Sequence, residues 1–175
     1  SPLFRFGSWM TVTNIISPMM DYLDRFLIVS LLGAATVSYY VAPFEVITKV
    51  LVIAAAFAGV LFPLFARHWQ ADQIGSAKLL GKGITYTLLI SYPVIFVVVV
   101  FAQEWLSIWL GKDFSVNSVA VVSWLGLGVI VNGVAQLFFA KVQGAGRSDW
   151  TAKLHFLELL PYLMMICFGL KVFGI

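Results

Sequence analysis

The chain has 175 residues, of which 61% are hydrophobic and only 11% charged, with a net charge of +3 and a mean hydropathy of +0.97. A soluble globular chain is about one quarter charged, so a water-soluble domain is excluded and an integral membrane protein is indicated. The small positive charge bears on orientation in the membrane and not on nucleic-acid binding, and the lone Cys167 has no partner for an internal disulfide.

Five apolar stretches follow in chain order, at about residues 7–32, 37–65, 84–102, 116–140 and 154–173. Each approaches or exceeds the ~20 residues that cross a hydrocarbon core as a helix. Period-2 alternation is absent, which argues against a β-barrel. The expectation is an all-α membrane protein, a bundle of about five transmembrane helices. The chain opens on Ser-Pro and stops at Phe-Gly-Ile just after an apolar run, the pattern of a piece of a longer protein.

The connections carry the orientation. The segment from Arg67 to Gly83 holds Arg67, Lys78 and Lys82 against Asp72, and that from Lys141 to Lys153 holds Lys141, Arg147 and Lys153 against Asp149. The connection between them holds Glu104, Lys112 and Asp113, and the turn Gly33-Ala34-Ala35 is uncharged. The positive-inside rule puts the two basic connections and Arg5 in the cytoplasm. Pro18, Pro43, Pro63, Pro93 and Pro161 fall inside or at the edges of spans, where each removes a backbone hydrogen bond. Trp105 and Trp109, four apart in the outward connection, read as a headgroup anchor.

Charges inside the first two spans are the strongest functional signal. Asp21, Asp24 and Arg25 sit in the first, with Thr13, Asn14 and Ser17 on the same helix face, and Glu45 and Lys49 sit in the second. Each ionisable group at bilayer depth costs roughly 2.5–3.5 kcal/mol on insertion scales, so such groups face a protein interior or a watery cavity. An antiparallel hairpin turning near Ala34 would set Arg25 level with Glu45 and Asp21 level with Lys49. Two readings follow: a hydrated substrate or ion pathway, or a buried salt-bridge network that only fixes helix packing.

Asn132, Gln136 and Gln143 recur at helical spacing in the fourth span, and His155, Glu158 and Tyr162 in the fifth. Glu158 reads either as a helix-start carboxylate or, with His155, as part of the pathway. His68 reads as a solvated loop residue. Gly144-Ala145-Gly146 is too short for a phosphate-cradling loop. No catalytic triad, His-Glu-x-x-His motif or cysteine pair is present, so neither an enzyme nor a metal site is expected.

Phe6 to Pro18 (FGSWMTVTNIISP), followed by Tyr22-Leu23-Asp24-Arg25-Phe26, resembles the helix that opens the second half of bacterial polysaccharide flippases. These are the Wzx-type O-antigen transporters of the multidrug/oligosaccharidyl-lipid/polysaccharide exporter superfamily. Tyr39 to Glu45 (YYVAPFE), Leu61-Phe62-Pro63, Leu106 to Phe114 (LSIWLGKDF) and Leu154 to Leu163 (LHFLELLPYL) continue the similarity in order.

The resemblance implies part of the C-terminal lobe of a two-lobed transporter with a central cavity. It implies alternating-access movement of undecaprenyl-pyrophosphate-linked oligosaccharide across the bacterial cytoplasmic membrane, with a proton or sodium ion for coupling and no cofactor. Asp24, Arg25, Glu45 and Glu158 match the family pattern, and Asp21 and Lys49 are charges this sequence adds. The expected pathway set is Asn14, Ser17, Asp21, Asp24, Arg25, Glu45, Lys49, Asn132, Gln136 and Glu158. Expected partners are the lipid-linked oligosaccharide, membrane lipid, the missing helices of the full-length protein, and a polysaccharide polymerase and glycosyltransferases. A related drug or lipid-precursor exporter, a non-transporting membrane scaffold and a lipid-modifying enzyme are the alternatives.

Overall fold

The computed structural model describes residues 11, 15, 22, 23, 25–30, 33–68 and 72–173. Its named elements are α1 (Ala34–Ile47), a 3₁₀ turn (Thr48–Val50), α2 (Leu51–His68), α3 (Gln73–Val100), α4 (Ala102–Leu110), α5 (Lys112–Gly144) and α6 (Ser148–Phe173). Residues 25–30 are also helical, and no strand occurs among the described residues. The chain is an all-α membrane protein. Three described stretches are long and apolar enough to cross a bilayer: Thr36–Arg67, Gln73–Val100 and Lys112–Gly144. At ~1.5 Å per residue the first is about 48 Å long, well beyond a ~30 Å hydrocarbon core, so it tilts or extends into the headgroups.

The chain divides into two compact units, Ser1–Ser38 with Gly146–Ile175, and Tyr39–Ala145. In the first, Gly33 stops the opening helix with φ +88°, and its N–H donates to the Val29 carbonyl at 3.0 Å. That left-handed cap is easiest for glycine. The uncharged turn expected at Gly33-Ala34-Ala35 is therefore only Gly33 deep, because α1 begins at Ala34.

The second unit is built on a parallel helix pair. Ser118 of α5 bonds Tyr39 of α1 across 79 residues of sequence. A Cβ added to Gly126 would meet Ile47, one on Gly133 would meet Ala54, and one on Gly144 would meet Phe65. All four pairs keep the same 79-residue offset, so the rod formed by α1, the 3₁₀ turn and α2 runs in constant register with α5. The contact face of α5 is Ser115, Ser118, Val122, Gly126, Val129, Gly133, Leu137 and Ala140, at steps of three or four residues. Small residues at these steps let the backbones approach, as packing in lipid requires.

α3 runs antiparallel to both. Gly83 faces Leu61 and Leu137, whereas Ile95 and Val99, a dozen or more residues later, face Gly126. Two apolar clusters result. One gathers Ile47, Ile95, Ala102, Leu106, Val122 and Val129; the other gathers Leu61, Phe65, Leu80, Leu137 and Ala140. The antiparallel course brings Arg67, Lys78, Lys82 and Lys141 toward one end and Glu104, Lys112 and Asp113 to the other. By the positive-inside rule the first end is cytoplasmic.

Two segments read as loops are largely helix. Asp72 caps α3, its Oδ1 accepting from the Gly75 N–H at 2.8 Å, so Lys78 and Lys82 ride on the helix. Their long stems let the ammonium groups reach the interface from there. The connection from Lys141 to Lys153 reduces to Ala145-Gly146-Arg147 between α5 and α6. His68, read as a loop residue, is the last residue of α2. Trp105 also differs from the simple anchor reading. Its indole N–H donates to the Val98 carbonyl at 3.0 Å, closing one of the carbonyls left open at the end of α3. Trp109, 57% exposed, keeps the anchor position.

Candidate functional site

Asn14, Ser17, Asp21 and Asp24 lie outside the described residues. Arg25 belongs to the first unit, where it is half-buried on the opening helix with its guanidinium 5.6 Å from the Tyr22 ring centroid. That distance allows a cation–π attraction. The pairing expected between Arg25 and Glu45 joins residues of different units and stays an expectation.

Glu45 occupies the last turn of α1, and Lys49 the 3₁₀ turn that follows. Their side chains meet at 3.6 Å and are 50% and 78% exposed respectively. Pro43, Ile47 and Ala54 on the same rod are buried. At helical spacing, Glu45 and Lys49 project from the side opposite that buried stripe. The pair is therefore not sealed in dry packing among the helices of the second unit. Thr48, beside Lys49, spends its hydroxyl on the Phe44 carbonyl at 2.6 Å. The rod tightens to 3₁₀ geometry just beyond Pro43, where the charges stand, and such mid-helix irregularity often marks a hinge.

Asn132 and Gln136 meet on α5, the Gln136 side-chain Nε2 donating to the Asn132 side-chain Oδ1 at 3.1 Å. Their neighbours Gly133 and Leu137 are buried, so the two amides stand at the rim of the contact face. The constant register sets Asn132 beside Ile53 and Gln136 beside Phe57. Asn132 thus lies about 6 Å further along the rod than Lys49, toward the cytoplasmic end. The structure brings Glu45 to Lys49 and Asn132 to Gln136, at successive depths of one helix pair.

In the first unit His155 Nδ1 lies 3.4 Å from Glu158 Oε2, with the histidine side chain 14% and the glutamate 47% exposed. The two side chains meet on one face of α6, a contact that either reading of Glu158 allows. A further cluster was not singled out from sequence: Arg147 Nε and Lys153 Nζ approach Asp149 at 3.3 and 3.7 Å. Desolvation pushes the Asp149 carboxyl up, but the hydrogen bond and charge of Arg147 and the charge of Lys153 outweigh it. The carboxyl is held below its usual range. The spacing Arg-x-Asp-x-x-x-Lys was the available signal.

Residues 1–119 match the family model described as "Polysaccharide biosynthesis protein". Over 173 residues, 99% of its length, the chain is 36% identical to a Shigella flexneri protein named "Putative O-antigen transporter". The chain spans 41% of that relative's length. No solved structure matches. With more than half of its residues covered by the family model and nearly all of them aligned to a relative of matching character, this multi-pass membrane chain belongs to the polysaccharide biosynthesis protein family.

Proposed function

We propose that the chain forms part of one lobe of a flippase in the bacterial cytoplasmic membrane. The cargo is an undecaprenyl-pyrophosphate-linked oligosaccharide, an O-antigen or similar repeat unit, moved from inner to outer leaflet by alternating access. The observation that carries the reading is the exposed Glu45–Lys49 pair at membrane depth. By residue count the two stand about 14 and 20 Å from the start of the Thr36–Arg67 stretch. Charge is expensive there unless an opposite charge, water or a polar cargo meets it. The O-antigen transporter named among its relatives gives that cargo a chemical class.

The chemistry follows from the cargo. Its sugar head must cross in water-like surroundings while its long tail stays in lipid. Lys49 and Arg25 are suited to attract the pyrophosphate, as ammonium and guanidinium donors. Asn14, Ser17, Asn132 and Gln136 can exchange hydrogen bonds with sugar hydroxyls. Glu45, Glu158, Asp21 or Asp24 can carry the proton or sodium ion that resets the cycle. No cofactor and no catalytic step are needed. The remaining helices of the full-length protein complete the cavity, and glycosyltransferases and a polysaccharide polymerase supply and consume the cargo.

The test is complementation of a flippase-deficient strain with the full-length protein carrying Arg25→Ala or Lys49→Met. Each variant is expected to insert normally and to lose surface polysaccharide. Normal surface polysaccharide in both would remove the two cations from the mechanism. Restored drug resistance without polysaccharide would reassign the chain to a related exporter.

A further inference from the structure

The first three turns of α6 place Trp150, Lys153, Leu154 and Leu157 at three- and four-residue steps, on one helix face. These four residues line a shallow surface cavity, wide open on its outer side, of about 430 Å³. Its lining changes along the helix, with an indole and an ammonium at the start and two leucines further in. Trp150 is 58% and Leu157 72% exposed, so the surface is open. Arg147 lays its guanidinium 4.7 Å from the Trp150 ring centroid, and both Arg147 and Lys153 reach Asp149. Two cations and one carboxylate leave one net positive charge at the rim.

We propose that this cavity binds the headgroup of a singly charged anionic phospholipid of the cytoplasmic leaflet. Lys153 and Arg147 meet the phosphate, and the first acyl carbons lie along Leu154 and Leu157. The depth is right. α6 starts after the basic turn that the positive-inside rule assigns to the cytoplasm. Its 26 residues make about 39 Å, longer than the hydrocarbon core, so its first turn stands among headgroups. Tryptophan is enriched at that level, and the cytoplasmic leaflet is negatively charged. The charge also selects. One net positive charge matches a phosphodiester, whereas a pyrophosphate would call for more. An ammonium carries three donors, so Lys153 can hold Asp149 and a phosphate oxygen together.

The full-length protein in nanodiscs of phosphatidylglycerol and phosphatidylcholine with identical acyl chains tests this, with retained lipid counted by native mass spectrometry. Phosphatidylglycerol should be retained in preference. Lys153→Gln should lower its retention about fivefold, the worth of one basic residue at an anionic surface. Lys153→Arg should preserve retention, and Lys112→Gln at the opposite end should leave it unchanged. Asp149→Asn should raise it, a gain that misfolding cannot produce. Equal retention of the two lipids, or no response to Lys153→Gln and Asp149→Asn, would overturn the site. Displacement of the retained lipid by one equivalent of undecaprenyl pyrophosphate would hand the cavity to a pyrophosphate lipid and overturn it equally.

Discussion

The Ser118 hydroxyl donates to the Tyr39 carbonyl at 3.0 Å, across the parallel pair of α1 and α5. Tyr39 is four residues before Pro43, which has no N–H to give back to that carbonyl. A side chain 79 positions away thus repairs the gap the proline opens. A partly buried carbonyl left without a donor costs free energy, so the repair contributes to holding the pair together. The same contact locks the register that carries Glu45, Lys49, Asn132 and Gln136.

Ser118→Ala should leave the Tyr39 carbonyl without this donor and cost about 1–3 kcal/mol. The readout is the melting temperature of the full-length protein in detergent. Adding Pro43→Ala restores the N–H, so the double variant should recover much of the loss. A strictly additive pair would show that the hydroxyl and the proline are not coupled.

Gly144→Ala should destabilise the cytoplasmic end of the same pair. Its new Cβ would stand 3.0 Å from both the Phe62 carbonyl oxygen and the Phe65 Cβ, where backbone cannot yield cheaply. Overpacking of this kind costs ~1–3 kcal/mol. Gly59→Ala on the open side of α2 meets nothing within 4 Å and should be neutral or mildly stabilising. Equal melting temperatures for the two variants would refute the close approach.

Glu45→Gln and Lys49→Met should separate transport from stability. The two side chains lie outside the buried face of the second unit, so both variants should melt close to wild type. Surface polysaccharide in a complemented strain should nevertheless fall steeply for each. A scaffold would tolerate both changes with polysaccharide unaltered.

Asp149 should give a pH signature. Its folded pKa is depressed, so the carboxylate stabilises the fold above the ordinary carboxylate range, and the benefit is lost as pH falls through the folded value. Wild type should melt above Asp149→Asn at pH 7, with the gap closing in strong acid and narrowing at high salt. A gap that persists in acid would point to a hydrogen-bonding role that does not depend on charge.

Hydropathy alone was enough to identify an all-α membrane chain, because long apolar blocks with few charges have no other stable home. The positions of charge within those blocks were legible for the same reason: Glu45 and Lys49 stand out in a sequence that is only 11% charged. Helix ends were less legible. Asp72 and Gly33 set boundaries through one capping carboxylate and one left-handed φ, signals a residue or two wide beside apolar runs of twenty or more.

What periodicity could not supply was partnership. Which helix lies beside which, in what direction and at what offset, depends on small residues meeting across long sequence separations, as Gly133 meets Ala54. Only the tertiary structure decided that Ser118 serves Tyr39, that the Trp105 indole closes the end of α3, and that Glu45 and Lys49 project away from the buried stripe of their own rod. Hydropathy is a property of each residue and its near neighbours; the destination of a hydrogen bond is a property of the folded chain.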